Sequence, residues 1–280
     1  MFTEKTITIN RQTFHYWEHA NLDAPVIVFL HGFPGSHGGM IQVAKAFGQY
    51  RLLIPDLPGC GASQELVGVH TLSSYVVWLE RFLQRCGVRE CVIVGHSFGA
   101  RMALEYSLRN PSMVKSLVFI TPVVKVDSVM GKIAIMNSKV GDLLPPSMRK
   151  AWMLNKVSST IKHWVIFKSA TGHTKQKLID IISQEVQQLS PRANSELLDD
   201  FSRSAPLSQG PSLAIDTLVV AGGKDQFATV NSIKELRHRL PRGEFKVIEH
   251  SGHLATIENP KEVAQVIADW LSTNKSHHHA

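Results

Sequence analysis

In Cys91-Val92-Ile93-Val94-Gly95-His96-Ser97-Phe98-Gly99-Ala100, an apolar run of four residues stops at a serine set between two glycines, and a helical pattern begins. A run of that length and character suits a strand buried on both faces. A strand-to-helix turn this tight holds its central residue at a strained angle, and side chains two positions to either side would collide. Gly95 and Gly99 remove that collision. The Ser97 hydroxyl is therefore expected to stand above a sheet at a helix N-terminus, where unpaired backbone N–H groups favour developing negative charge. A glycine-rich turn without chemistry is the alternative reading of this stretch taken alone.

Outward from Ser97, residues 25–30, 52–54, 91–94, 117–120, 218–220 and 245–248 are short apolar runs of the same kind. Helical patterns separate them, so these six form a parallel core. The clearest helix starts at a Thr71 cap, carries Leu72, Tyr75, Val76, Leu79, Phe82, Leu83 and Cys86 on one face, and stops at Gly87. Others are expected over 100–108, 229–240 and 260–271. At the start of the chain, 6–10 and 13–17 alternate around Arg11-Gln12, predicting a hairpin that adds two edge strands. The expected fold is α/β: an eight-stranded, mostly parallel sheet flanked by helices. The alternation lapses over 124–210, which turns basic, Met-containing and helix-compatible, with prolines at 145, 146, 191, 206 and 211. This reads as an inserted helical cap on a core of 1–123 and 211–273, with 274–280 a flexible tail.

Composition narrows the function classes. A chain of 280 residues, 44% hydrophobic, buries a sizeable core as one catalytic domain. No apolar run has signal-peptide or membrane-span length. Cys60, Cys86 and Cys91 are odd in number, without CxxC spacing, which argues against disulfides or a zinc site and for a reducing cytoplasm. No glycine-rich phosphate loop sits between strand and helix, and no metal, organic cofactor or nucleic-acid partner is implied. His277, His278 and His279 read as a tail, not a ligand set. The net charge of +7 is concentrated: residues 124–177 hold ten Lys/Arg against Asp127 and Asp142, making that stretch +8. Trp152, Met153, Leu154, Ile161, Trp164, Val165, Ile166 and Phe167 add apolar surface beside these cations, suited to lining an acyl or aromatic pocket.

Three further motifs complete a constellation around Ser97. His31-Gly32-Phe33-Pro34-Gly35 follows the strand ending at Leu30, where this architecture places an oxyanion donor. Pro34 has no N–H, so Phe33 is the donor and Phe98, just after the serine, its partner. The His31 side chain is expected to serve structure. Asp225, in the loop after the strand at 218–220, is the expected acid, with Asp127 as a rival from a neighbouring loop. His253, between the last strand and the last helix, is the expected base, and His250 its rival. The order Ser97, Asp225, His253 is the one expected for a nucleophile on such a turn.

Together with Asp56-Leu57-Pro58-Gly59-Cys60-Gly61-Ala62-Ser63, these motifs resemble the α/β-hydrolase superfamily along the chain outside the cap. The resemblance implies a serine hydrolase of the carboxylesterase type, a small-molecule ester substrate, and a structural role for Asp56. In overall design the chain is similar to pimeloyl-carrier-protein methyl esterases, which implies an acidic acyl carrier protein as a partner of the basic cap. Arg101, four residues after Ser97, is similar to an arginine of menaquinone-pathway synthases, which perform elimination; a surface helix residue is the preferred reading. HGFP also occurs in epoxide hydrolases and haloalkane dehalogenases, which attack with an aspartate, and Ser97 argues against both. Carbon–carbon bond hydrolases share the Ser/Asp/His set, and triad-retaining ligand sensors are the alternative from outside catalysis.

Overall fold

Alternation near the N-terminus builds β1 (Thr3–Ile9) and β2 (Gln12–His19), an antiparallel pair in which Ile9 faces Gln12. The link is Asn10-Arg11, one residue earlier than expected, and both residues take positive φ, which a tight hairpin turn demands. The computed structural model describes residues 1–125, 129–155 and 172–275. β3 (Val26–Leu30), β4 (Arg51–Pro55), β5 (Cys91–His96), β6 (Val114–Ile120), β7 (Thr217–Gly222) and β8 (Gly243–Ile248) follow, all parallel to one another. The strand order is β1-β2-β4-β3-β5-β6-β7-β8. One expectation is corrected here: β2 is not an edge strand, because it also pairs antiparallel with β4 and leaves only β1 at that edge.

Both faces of the sheet are covered, as continuous apolar strands require. Side chains alternate along β3: Val28 and Leu30 join one core layer, Ile27 and Phe29 the other. The first layer is closed by α2 (Leu72–Arg85) and α3 (Phe98–Arg109), through residues such as Tyr75, Leu79, Phe82 and Met102. A Thr71–Ser74 capping box starts α2. The second layer is closed by α1 (Gly38–Ala44) and the C-terminal helix α10 (Pro260–Lys275), through Met40, Val43, Ile267 and Trp270. Between β7 and α10 lie two short helices, α8 (Val230–Lys234) and α9 (Ala255–Glu258). The helix expected over 229–240 is thus shorter, continuing as a 3-10 turn from Glu235 to His238.

Between β6 and β7, in the stretch read from the sequence as a cap, the described residues form α4 (Val129–Asp142), α5 (Pro146–Leu154), α6 (Gly172–Gln187) and α7 (Pro191–Arg203). Polar bonds seat it on the core. Ser36 Oγ donates to Glu185 Oε1 at 2.7 Å, and the amides of His70 and Leu72 donate to Glu196 and Asp200 at 2.7 and 2.9 Å. Two of the cap's cations work inside it, not as a solvated face. Arg149 donates to the carbonyls of Leu144 and Asp142, both at 3.2 Å, and Lys150 to those of Val186 and Leu189 at 2.9 and 2.6 Å. These bonds add side-chain donors to carbonyls at and just past helix ends. Among the described residues, no helix is long and apolar enough to cross a membrane.

Candidate active site

Ser97 stands between the last residue of β5 and the first of α3, with φ 52° and ψ −110°. A non-glycine residue in that region stores on the order of 1–3 kcal/mol of strain. The surroundings enforce it. A Cβ on Gly99 would lie 2.2 Å from the Leu30 carbonyl oxygen, and one on Gly95 would lie 2.5 Å from the backbone of Gly99 and Ala100. The Ser97 amide itself donates to the Ile120 carbonyl at 3.0 Å, tying the turn to the neighbouring strand.

Loops from the same end of β7 and β8 bring two partners to the serine. His253 Nε2 lies 3.0 Å from Ser97 Oγ, and His253 Nδ1 lies 2.8 Å from Asp225 Oδ2. The other carboxylate oxygen, Oδ1, accepts the amides of Phe227 and Ala228 at 2.8 and 2.9 Å. With both oxygens of Asp225 occupied and all three residues buried, the chain of bonds runs in one direction. The Asp225 carboxylate accepts a hydrogen bond from Nδ1–H, which leaves the Nε2 lone pair aimed at the Ser97 hydroxyl. The rivals separate: His250 is exposed at the end of β8, and Asp127 lies outside the described residues.

The His253 loop is gripped by three groups for which no role was expected. His96 Nε2 and Thr121 Oγ1 each donate to the His253 carbonyl at 2.9 Å. Burial, with the neighbouring His253, pushes the His96 imidazole down to about 3, so it donates as a neutral ring. Glu258 takes the two amides flanking His253, Gly252 N at 2.8 Å and Leu254 N at 3.1 Å. Burial raises the Glu258 carboxyl above its ordinary range despite those bonds. The sequence signal for Glu258 is its place five residues beyond His253, at the end of the short α9, within reach of the loop it follows.

His31 serves structure, as expected. Its Nδ1 donates to the Gly32 carbonyl at 2.7 Å and its Nε2 accepts the Leu57 amide at 2.9 Å, while burial holds it below the usual imidazole range. Asp56 likewise ties loops together, accepting the His37 amide at 2.7 Å and the Ala62 amide at 3.0 Å. Phe33 and Phe98 line the Ser97 cavity, their ring centroids 6.1 Å apart. Among the described residues no acceptor takes either backbone amide.

The cavity over Ser97 is narrow, about 70 Å³, and walled by apolar groups. Its walls correct the expectation for Trp152, Met153 and Leu154: among the described residues they come from α7 through Leu197, Leu198 and Phe201, with Val123 and Phe227 from the core. Trp152 instead donates its indole N–H to the Asn137 carbonyl at 3.1 Å, Met153 is buried and Leu154 exposed, none of them at the cavity. Ile161, Trp164, Val165, Ile166 and Phe167 lie outside the described residues. Arg101 is corrected too. It is 5% exposed, donates to the Ala205 carbonyl at 2.7 Å and stands 4.9 Å over the Phe201 ring. Burial lowers the guanidinium to about 10, above neutral pH, so it keeps its charge. Among the described residues no group of His, Cys, Asp and Glu gathers as a metal site.

Residues 25–260 match the family model described as alpha/beta hydrolase fold. Among curated relatives, the sn-1-specific diacylglycerol lipase ABHD11 of Mus musculus is 26% identical over 89% of this chain and 81% of its own length. The proline iminopeptidase of Heyndrickxia coagulans is 26% identical over 98% of this chain and all of its own. Among solved structures, an esterase from Exiguobacterium antarcticum superposes with a TM-score of 0.79, at 16% identity, over 97% of this chain and 100% of that one.

Proposed function

We propose, from the premise that this chain belongs to the α/β-hydrolase fold family, that it is a serine hydrolase cleaving carboxylic esters through Ser97, His253 and Asp225. The observation that carries the reading is the hydrogen-bonded run from Asp225 through His253 to Ser97 at the floor of an apolar cavity. Ser97 Oγ attacks the ester carbonyl carbon while His253 Nε2 takes the hydroxyl proton. The carbonyl electron pair moves onto oxygen, where the Phe33 and Phe98 amides hold it; each such donor is worth ~2.7–4 kcal/mol in the transition state. The ester C–O bond then breaks, and His253 returns the proton to the departing alcohol. A water attacks the acyl-enzyme with His253 again as base, releasing the acid and restoring Ser97. Asp225 keeps the imidazole in the required tautomer and stabilises the imidazolium, without taking its proton.

The cavity over Ser97 is narrow and mostly apolar, which suits a slender acyl group. One relative is named a diacylglycerol lipase, whose substrate bonds are carboxylic esters, and another a proline iminopeptidase; the first supports the ester reading. The test is covalent labelling with a fluorophosphonate, alongside burst kinetics on short 4-nitrophenyl esters. Wild-type protein is expected to label and turn over, and Ser97→Ala to do neither. Labelling that persists in Ser97→Ala refutes the assignment of the nucleophile.

A further inference from the structure

Arg101 and Phe201 line the Ser97 cavity on one side and a second, larger compartment of about 410 Å³ on the other. One wall of that compartment is α4, and the end of α7 with the segment after it, residues 201–206, forms another. Lys132, Ile135, Met136 and Lys139 fall at i, i+3, i+4 and i+7, so one helix face presents two apolar residues between two ammonium groups. Lys125, just beyond β6, adds a third ammonium group and Arg101 a guanidinium.

Among the described residues no carboxylate lines this space. Among the described residues the counter-charges stand at its margins: Glu235 bonds Lys125 at 2.6 Å, and Asp199 lies 3.8 Å from Lys139, which also donates to Ser202 at 3.1 Å. Asp200, which is close enough to raise the Arg101 pKa, spends one carboxylate oxygen on the Leu72 amide. Cations around a mostly apolar hollow, two of them also paired at its margins, suit an anion attached to a hydrocarbon arm. A solvated face has no need of the Phe201 and Arg101 wall that joins it to the nucleophile.

We propose that the compartment binds an anionic group at the far end of the acyl chain, so that the preferred esters are those whose acyl arm ends in a carboxylate or phosphate. The proposal rests on Ser97 being the nucleophile and adds the substrate class. Charge attraction in a half-open site is worth about a factor of five to ten, and salt screens it.

The experiment compares 4-nitrophenyl half-esters of dicarboxylic acids of increasing length with the same compounds capped as neutral methyl esters. A third arm carries phosphate in place of the terminal carboxylate and distinguishes the two anions. At the length that spans the two spaces, kcat/KM is expected to favour the anion by at least about fivefold. Lys132→Gln combined with Lys139→Gln is expected to bring the ratio toward one, and Lys261→Gln, an exposed lysine of α10, to leave it in place. A ratio at or below one for every length and both anions overturns the proposal, as does a ratio that the double variant leaves unchanged or that Lys261→Gln lowers equally. Calorimetric binding of the same compounds to Ser97→Ala separates the two readings. Tighter binding of the anionic member supports the compartment even if the wild-type protein cleaves no ester, an outcome that would remove only the hydrolase reading.

Discussion

Replacing Asp225 by Asn changes one atom of the carboxylate, and the structure dictates how the amide must sit. Oδ1 accepts two backbone amides, from Phe227 at 2.8 Å and Ala228 at 2.9 Å, while Oδ2 accepts His253 Nδ1 at 2.8 Å. An asparagine has one oxygen and one NH₂ group. Turning the oxygen toward His253 would set its NH₂ against two fixed N–H donors in a buried site, and each unsatisfied donor costs about 1–3 kcal/mol. The oxygen therefore stays with the amides, and the NH₂ faces His253 Nδ1. That nitrogen must then accept, which moves the imidazole proton to Nε2, the atom 3.0 Å from Ser97 Oγ. Ser97 loses its base although nothing has moved. In the serine protease used as the general worked case for this triad, the same substitution lowers kcat about 10⁴-fold, and a loss of that order is expected here. The assay is the acylation rate on 4-nitrophenyl acetate, with the thermal midpoint measured in parallel. The midpoint is expected to move by only a few degrees. Retention of more than about a tenth of the wild-type rate, with the fold intact, would refute the argument that tautomer control by Asp225 sets the reaction.

Two further outcomes follow from buried groups. Gly99→Ala places a methyl against the Leu30 carbonyl, which belongs to a central strand and has nowhere to go; the variant is expected to lose several degrees of thermal stability together with its activity, and an unchanged midpoint by calorimetry would contradict this. His70 is buried, and burial with the charge of Arg192 pushes it down to about 4, below the ~6.5 of an unfolded chain. The unfolded state thus binds a proton that the folded state refuses between those values, so the contribution is complete above pH 6.5 and falls as pH drops toward 4, by up to about 3 kcal/mol. A thermal midpoint that declines over this window in the wild-type protein, and declines less in His70→Gln, is the expected result; equal slopes would count against it.

Much of the site was legible because its chemistry is local. Gly95 and Gly99 report a turn that tolerates no other residue, and Asp225 and His253 each sit just past a strand, at the sheet edge where parallel strands deliver their loops. Arg101 misled because a helix position says nothing about what packs over it. The residue is covered by the Ala205 and Phe201 segment, which is about a hundred positions away in the chain. Trp152, Met153 and Leu154 were misassigned to the cavity wall for a related reason. Composition drew attention to 152–167, whereas Leu197, Leu198 and Phe201 of the quieter α7 face Ser97. Arg149 and Lys150 show the same limit for charge, since a count of lysines and arginines cannot tell which of them turn inward to carbonyls.

By itself the sequence pointed to the strand–turn–helix at Ser97, the parallel core, and the serine, aspartate and histidine that the structure sets in one hydrogen-bonded run, because steric exclusion, two-residue or 3.6-residue periodicity and position just past a strand are all local. Only the tertiary structure decided that His96, Thr121 and Glu258 hold the backbone of the His253 loop, that α7 lies over Ser97, and that Lys132 and Lys139 share a hollow with Arg101. Those relations join residues that are in most cases dozens to over a hundred positions apart, and hydrogen bonds and burial between such residues depend on how the layers pack, which no local pattern encodes.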